Sequence, residues 1–254
     1  MKNTIKEKMA AGKVCLGTWY TVRSIEVVEA LASIGFDWLA VDMEHGSADV
    51  ADVKTAVIAC ERHGCAPMVR MPSADPILAR RLLDAGAHGL LVPGVEDAKA
   101  FAAFAAHCLY PPDGRRGVAL ERFNRWGDDF EDYMRTFGPV IVPMIESRKG
   151  IAAARDIAAL PVVDALFFGP YDLSADLGTP GDFETPEFHA ALDGIREACR
   201  AAGKPMGGHQ VEPSETELRK RIEAGFTFVA YGTDVIAMRH ALGAAREYAA
   251  SRRH

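Results

Sequence analysis

Cysteine is sparse, and its number is odd. Cys15, Cys60, Cys65, Cys108 and Cys199 are the five in a chain of 254 residues. An odd count in a chain this long argues against a disulfide framework. Burial alone can hold a fold of this length. No apolar run approaches the roughly 20 residues of a membrane span. The opening segment MKNTIKEKMAAGK has no apolar signal core. These absences point to a cytoplasmic protein with no membrane partner. An excess of basic charge is missing too: 29 Lys and Arg stand against 35 Asp and Glu, a net charge of -6. Nucleic-acid binders usually carry a basic stripe, so nucleic acid is not the expected partner. A small anion needs only local positive charge. The stretch Gly17-Thr18-Trp19-Tyr20 lacks the spaced glycines of a dinucleotide site, and no P-loop occurs.

What is present is a rhythm. Short apolar runs cover residues 14–19, 38–43, 67–71, 89–93, 140–146, 165–169, 204–209 and 226–233. Each has strand length and reads as a parallel strand covered on both faces. Between them lie helical patterns over 24–33, 49–63, 76–86, 97–107, 147–160, 186–202, 213–224 and 235–251. Pro186 near a helix start and Gly203 just past its end follow the usual asymmetry of helix termini. Strands alternating with helices imply a parallel sheet with right-handed crossovers. Eight such units of about 30 residues fit a (β/α)8 TIM barrel. The chain therefore reads as a single α/β domain over 1–254. One connection breaks the rhythm: 109–138 is long and carries Arg115, Arg116, Arg122 and Arg125. Long loops in compact domains are usually functional, which places this one at the C-terminal mouth or at a subunit interface.

Barrel enzymes carry their chemistry at the C-terminal ends of the strands. Here those ends read Asp42-Met43-Glu44-His45-Gly46, Val69-Arg70-Met71-Pro72, Met144-Ile145-Glu146-Ser147 and Gly169-Pro170-Tyr171-Asp172. Glu146 and Asp172 are hard oxygen donors on neighbouring strands. Two carboxylates are the usual protein share of a Mg²⁺ or Mn²⁺ site, with positions left for a chelating substrate. Either one alone is equally a solvated or capping carboxylate; the pair on one rim reads as metal. Arg70 ends a buried strand and needs an anionic partner. That partner is a structural carboxylate (Asp42, Asp84 or Glu44) or a developing enolate oxygen. His45 is a satisfied polar histidine or a base oriented by Asp42 and Asp84.

At these motifs the chain resembles the HpcH/HpaI aldolase and citrate lyase group, the class II metal-dependent pyruvate aldolases. The matching segments are FDWLAVDMEHG, PMVRMP, DAGAHGLLVPGVEDAKA, YPPDGRRG, VPMIESRKG and FFGPYDLSADLG. The resemblance implies Glu146 and Asp172 as metal ligands and Arg70 as the substrate-polarising arginine. It implies His45 as acid/base, supported by Asp42 and Asp84. It puts the substrate carboxylate at the backbone around Gly169, Pro170, Tyr171 and Asp172. It implies reversible aldol chemistry between a 2-oxoacid, pyruvate or hydroxypyruvate, and an aldehyde, through an enolate held at a divalent metal. That metal is expected to be Mg²⁺ or Mn²⁺, with Co²⁺ or Zn²⁺ as alternatives. It also implies a homo-oligomer, a hexamer of barrel dimers with the C-terminal helix exchanged between neighbours. Two positions depart from the pattern. Many members have glutamine where this chain has Met144, and alanine or serine where it has Tyr171. Both border the pyruvate end of the site.

Other signals are weaker. Cys60 and Cys65 lie at a helix end leading into a strand, where buried thiols beside a helix cap are expected, not a zinc site. His209 ends the seventh strand and either reaches the site or stays behind it. Trp19 ends the first strand and walls the aldehyde pocket or packs in the core. Asp234 caps the last helix. A Schiff-base aldolase needs a lysine ending a strand; none does, and Lys149, the nearest, lies on the following helix. A citrate lyase-type enzyme acting on a CoA thioester would want a basic, aromatic groove, which no segment marks. A non-catalytic 2-oxoacid-binding barrel would have no use for four costly polar groups on one rim.

Overall fold

The computed structural model describes residues 3–252; residues 1, 2, 253 and 254 of the expected 1–254 span lie outside the described residues. Eight parallel strands close into a barrel in chain order. They are β1 (Cys15–Tyr20), β2 (Trp38–Asp42), β3 (Ala66–Arg70), β4 (Gly89–Val92), β5 (Val140–Ile145), β6 (Leu166–Phe168), β7 (Met206–Gln210) and β8 (Phe226–Thr233). β8 returns to β1, with Cys15 opposite Phe228. The expected (β/α)8 barrel is the observed fold.

The barrel interior is packed. Trp38 stacks on Phe228 at 4.7 Å between ring centroids, and Trp19 meets Trp38 and Phe167 edge-on. A Cβ at Gly17 would fall 2.0 Å from the Trp38 ring, so this position must be glycine. Outside, the helices α2 (Ile25–Ser33), α3 (Val50–His63), α4 (Pro76–Asp84), α5 (Ala98–Ala105), α7 (Arg148–Ala158), α9 (Pro186–Ala202) and α10 (Glu215–Glu223) return the chain to the bottom of the barrel. Their N-termini are capped by Ser24, Asp49, Asp75, Asp97, Ser147, Thr185 and Ser214. Each cap side chain accepts a backbone N–H that the first helical turn leaves unpaired. The caps therefore lie just beyond the strand ends, on the face that bears the site.

Four elements were not expected. α1 (Thr4–Ala10) precedes the first strand, and its Ile5 and Met9 join the barrel interior cluster. α6 (Phe130–Thr136) and a 3-10 turn (Arg122–Gly127) fold within 109–138. α8 (Pro170–Asp176) begins directly after β6. The final helix, α11 (Asp234–Ala250), follows β8 and leaves Met238, Leu242 and Tyr248 exposed. Among the described residues no helix is long and apolar enough to cross a membrane.

The 109–138 connection does not line the mouth of its own barrel. It leaves the end of α5 and enters the start of β5, both at the bottom. Tyr110, Phe123, Tyr133 and Phe137 form their own apolar cluster there. Arg116 bonds Asp84 at the end of α4, and Arg122 bonds Glu61 near the end of α3. Of the two places expected for this arginine-rich loop, the mouth and a subunit interface, the direction of the chain overrules only the mouth of its own barrel.

Candidate active site

The C-terminal ends of the strands open on a cavity of about 290 Å³. Trp19 of β1, Arg70 of β3, Met144 of β5 and His209 of β7 contribute to its wall. The following loops add His45, Glu146, Gly169, Pro170, Tyr171 and Asp172. Thus every expected site residue lines one cavity except Asp42 and Asp84.

Asp42 stands directly behind it. Asp42 and Arg70 are opposite each other on β2 and β3. The Arg70 Nε donates to Asp42 Oδ1 at 2.9 Å, and Nη2 donates to Oδ2. The third nitrogen, Nη1, lies 3.5 Å from Glu44 Oε2. The guanidinium also sits 4.5 Å over the Trp19 ring. Burial opposes the charge on Asp42, but Arg70 and the backbone N–H groups of His45 and Glu44 outweigh it and hold the carboxyl below its ordinary range. Asp42 thus orients Arg70 and shapes the loop; it meets the His45 backbone and not its ring.

The His45 ring is well exposed at the rim, with Nε2 3.8 Å from Glu44 Oε2. Asp84 is not beside it. α4 descends from the rim, so its last residue lies about 13 Å lower at 1.5 Å per residue. There Asp84 accepts from Arg116, whose side chain is fully buried. Within one chain Asp84 is a structural partner of Arg116, not of His45. Asp234 also differs from expectation: besides its own helix start, it accepts from the Thr21 and Val22 backbone N–H groups, tying β8 to the loop after β1.

Glu146 follows β5 beside Gly169, which follows β6. A Cβ on Gly169 would stand 2.6 Å from Glu146 Oε1. One Glu146 oxygen, Oε2, accepts the Gly94 N–H at 2.8 Å. Burial pushes the Glu146 carboxyl up to about 7. The Glu44 and Asp172 charges push the same way, while Gly94 and Arg70 oppose them. Glu44 is likewise raised, chiefly by burial, with Asp42 and Asp172 adding to it. Sequence reasoning treated Glu44 only as a possible partner of Arg70; its place immediately before His45 was the available signal. Among the described residues no three His, Cys, Asp or Glu side chains form a closed metal cage. What the rim offers is an open pair, Glu146 and Asp172, with a further carboxylate nearby and excess negative charge. That donor set suits a hard divalent cation that keeps positions for a ligand.

A family profile described as HpcH/HpaI aldolase/citrate lyase matches residues 16–241. The chain belongs to this family. Its relatives include the hydroxypyruvate/pyruvate aldolase of Chromohalobacter salexigens, 39% identical over 234 residues and 91% of each chain. They also include the 5-keto-4-deoxy-D-glucarate aldolase of Salmonella paratyphi A, 37% identical over 240 residues and 93% of each. A family member of Burkholderia cenocepacia J2315 superposes with a TM-score of 0.91 at 32% identity, covering 98% of this chain and 99% of the other. Around its cavity this family member brings together His45, Arg70, Glu146 and Asp172, with Met144 and Tyr171 in the same lining.

Proposed function

We propose that the protein is a class II aldolase that joins a 2-oxoacid, pyruvate or hydroxypyruvate, to an aldehyde and reverses that reaction. It is a carbon–carbon lyase by its family and its aldolase relatives. The observation that carries the reading is the meeting of Glu146, Asp172 and Arg70 in one small cavity. A divalent metal is implied by the family. Glu146 and Asp172 would hold it, and Mg²⁺ or Mn²⁺ suits their hard oxygens best. Bound there, the ion would supply Lewis-acid polarisation of the 2-oxoacid.

The chain's own groups account for the rest. Arg70 cannot lose its charge, and Asp42 and Trp19 fix its plane. It therefore presents positive charge to the cavity without reorganising, which favours an enolate oxygen over a ketone. Backbone N–H groups at the start of α8 receive the substrate carboxylate. In cleavage, a proton leaves the 4-hydroxyl, the C3–C4 bond breaks, and its electron pair enters the enolate. Carbon C3 is then protonated and the aldehyde departs. His45 carries protons between that oxygen and solvent, a role its exposure at the rim supports. Met144 and Tyr171 border the donor, and Trp19 walls the cavity beneath Arg70.

Two further points are proposals of the same kind. The protein forms a homo-oligomer, a hexamer in which α11 docks on a neighbour; the exposed Met238, Leu242 and Tyr248 support this. It works in the reducing cytoplasm, an assignment supported by five free thiols. The deciding experiment is proton exchange. The EDTA-stripped protein is mixed with pyruvate in D₂O and the methyl signal is followed by NMR. Exchange that returns with added Mg²⁺ or Mn²⁺ supports the aldolase; no exchange with either 2-oxoacid and any metal overturns it.

A further inference from the structure

His209 is the last but one residue of β7 and has no part in the chemistry above. Its ring turns into the barrel. It packs edge-on against Trp19 with centroids 5.8 Å apart and lines the cavity with Arg70 and Met144. Nε2 lies 3.1 Å from the Gly232 carbonyl oxygen of β8. A carbonyl only accepts, so Nε2 bears the hydrogen. Burial pushes the ring down to about 4, the Gly232 bond opposes this, and Arg70 and Arg221 lower it further. The imidazole is therefore neutral near pH 7, and its Nδ1 carries a lone pair. No described residue donates to Nδ1, and protein does not seal it. This part of the wall is not the wholly apolar surface that a methyl group would suit.

Position says which substrate atom meets it. The carboxylate pair lies on and beyond β5 and β6, and Arg70 ends β3. A 2-oxoacid engages charged groups of this kind through its carboxylate and keto oxygens. Its third carbon is then left to the wall formed by β7 and β1, which is His209 and Trp19. We propose that His209 is a specificity-determining residue: its Nδ1 accepts a hydrogen bond from a hydroxyl on C3 of the 2-oxoacid, so that hydroxypyruvate is preferred to pyruvate. This rests on the aldolase reading. A site built to bond a hydroxyl rejects the analogue that lacks it far more strongly than an apolar pocket does.

The test compares C3 proton exchange of hydroxypyruvate and of pyruvate in D₂O, with metal, for three variants. His209→Leu removes both ring nitrogens. His209→Gln keeps a donor for Gly232 but places no acceptor where Nδ1 lies. His209→Asn restores an acceptor near the Nδ1 position. The expected result is a hydroxypyruvate-to-pyruvate ratio of kcat/KM that falls about 10- to 100-fold in the Leu and Gln variants and recovers in the Asn variant. If His209→Leu does not fold, the Gln and Asn variants alone decide. An unchanged ratio, or equal losses with both substrates, overturns the proposal and leaves His209 as packing. Absence of exchange with both substrates in the unaltered protein would instead overturn the aldolase reading itself.

Discussion

Arg70 and Asp42 form a two-point pair across neighbouring strands, with Nε and Nη2 of the guanidinium each facing one carboxylate oxygen. The pair fixes the orientation of the arginine that, among the described residues, lines the cavity. Its Asp42 half also accepts the N–H groups of Glu44 and His45. One carboxylate therefore aligns the electrophile and the loop that bears the rim histidine.

Asp42→Asn should disrupt both. The amide cannot balance Arg70, which is only 15% exposed. Breaking a buried pair by removing one partner costs about 3–5 kcal/mol, somewhat less here because Glu44 is close enough to take over part of the charge. Thermal denaturation should show a loss of several degrees. Metal-dependent exchange of pyruvate should fall by about two orders of magnitude, as for other lost electrostatic stabilisers. Native stability together with full exchange would show that Asp42 holds nothing in place.

The raised Glu146 carboxyl predicts how metal binding depends on pH. Its folded value is about 7, above that of an exposed glutamate. Without metal, the folded chain holds a proton on Glu146 that the unfolded chain has already lost between about pH 4.5 and 7. Stability of the metal-free protein should therefore fall as pH rises through that window. A cation must displace the proton, so affinity should rise about tenfold per pH unit below 7 and level off above it. Calorimetric titration with Mn²⁺ at pH 6, 7 and 8 checks the slope. Glu146→Gln should abolish both binding and the pH-dependent loss of stability.

Much of this was legible because strand ends are punctuated. Arg70, Glu146 and Asp172 each stand at or just beyond the C-terminal end of an apolar run, and the barrel brings such ends together. Asp84 was misplaced for a physical reason: it ends a helix, and the helix runs to the opposite face. The resemblance set it beside His45, but one chain cannot. The loop at 109–138 is not at the mouth of its own barrel, although its length and arginines suggest a functional place, because its anchors, the end of α5 and the start of β5, fix it at the bottom. α1 escaped notice because its only two large apolar residues, Ile5 and Met9, plug the barrel from a mostly polar sequence. The neutrality of His209 depends on burial and on the nearby Arg70 and Arg221 charges, neither of which a strand pattern reveals.

Asp84→Asn tests the structural role given to that residue. Its partner Arg116 has no exposed side-chain surface, and Nε and Nη1 of that guanidinium meet no acceptor. Among the described residues, Asp84 supplies the carboxylate bonded to it. Removing that charge leaves a buried cation unbalanced, at about 3–5 kcal/mol. The melting temperature should drop markedly, and Arg116→Met in the same chain should restore part of it by removing the charge. A double variant no more stable than Asp84→Asn alone would contradict the pairing.

Gly169→Ala separates backbone from side-chain effects at the metal pair. Gly169 has φ -101° and ψ 91°, a conformation open to any residue. An alanine there carries no backbone penalty. Its methyl group would, however, stand 2.6 Å from both Cγ and Oε1 of Glu146. The flexible carboxylate must yield, because the Gly169 backbone is held by its N–H bond to the Ile145 carbonyl, just beyond the β5–β6 pairing. Glu146 would then lose its alignment with Asp172 while the barrel stays intact. Mn²⁺ affinity should fall about 10- to 100-fold, the range seen when ligand orientation is disturbed. The melting temperature of the metal-free protein should change little. A variant that binds Mn²⁺ normally would mean that Glu146 does not need the space Gly169 leaves, and would count against its role as a ligand.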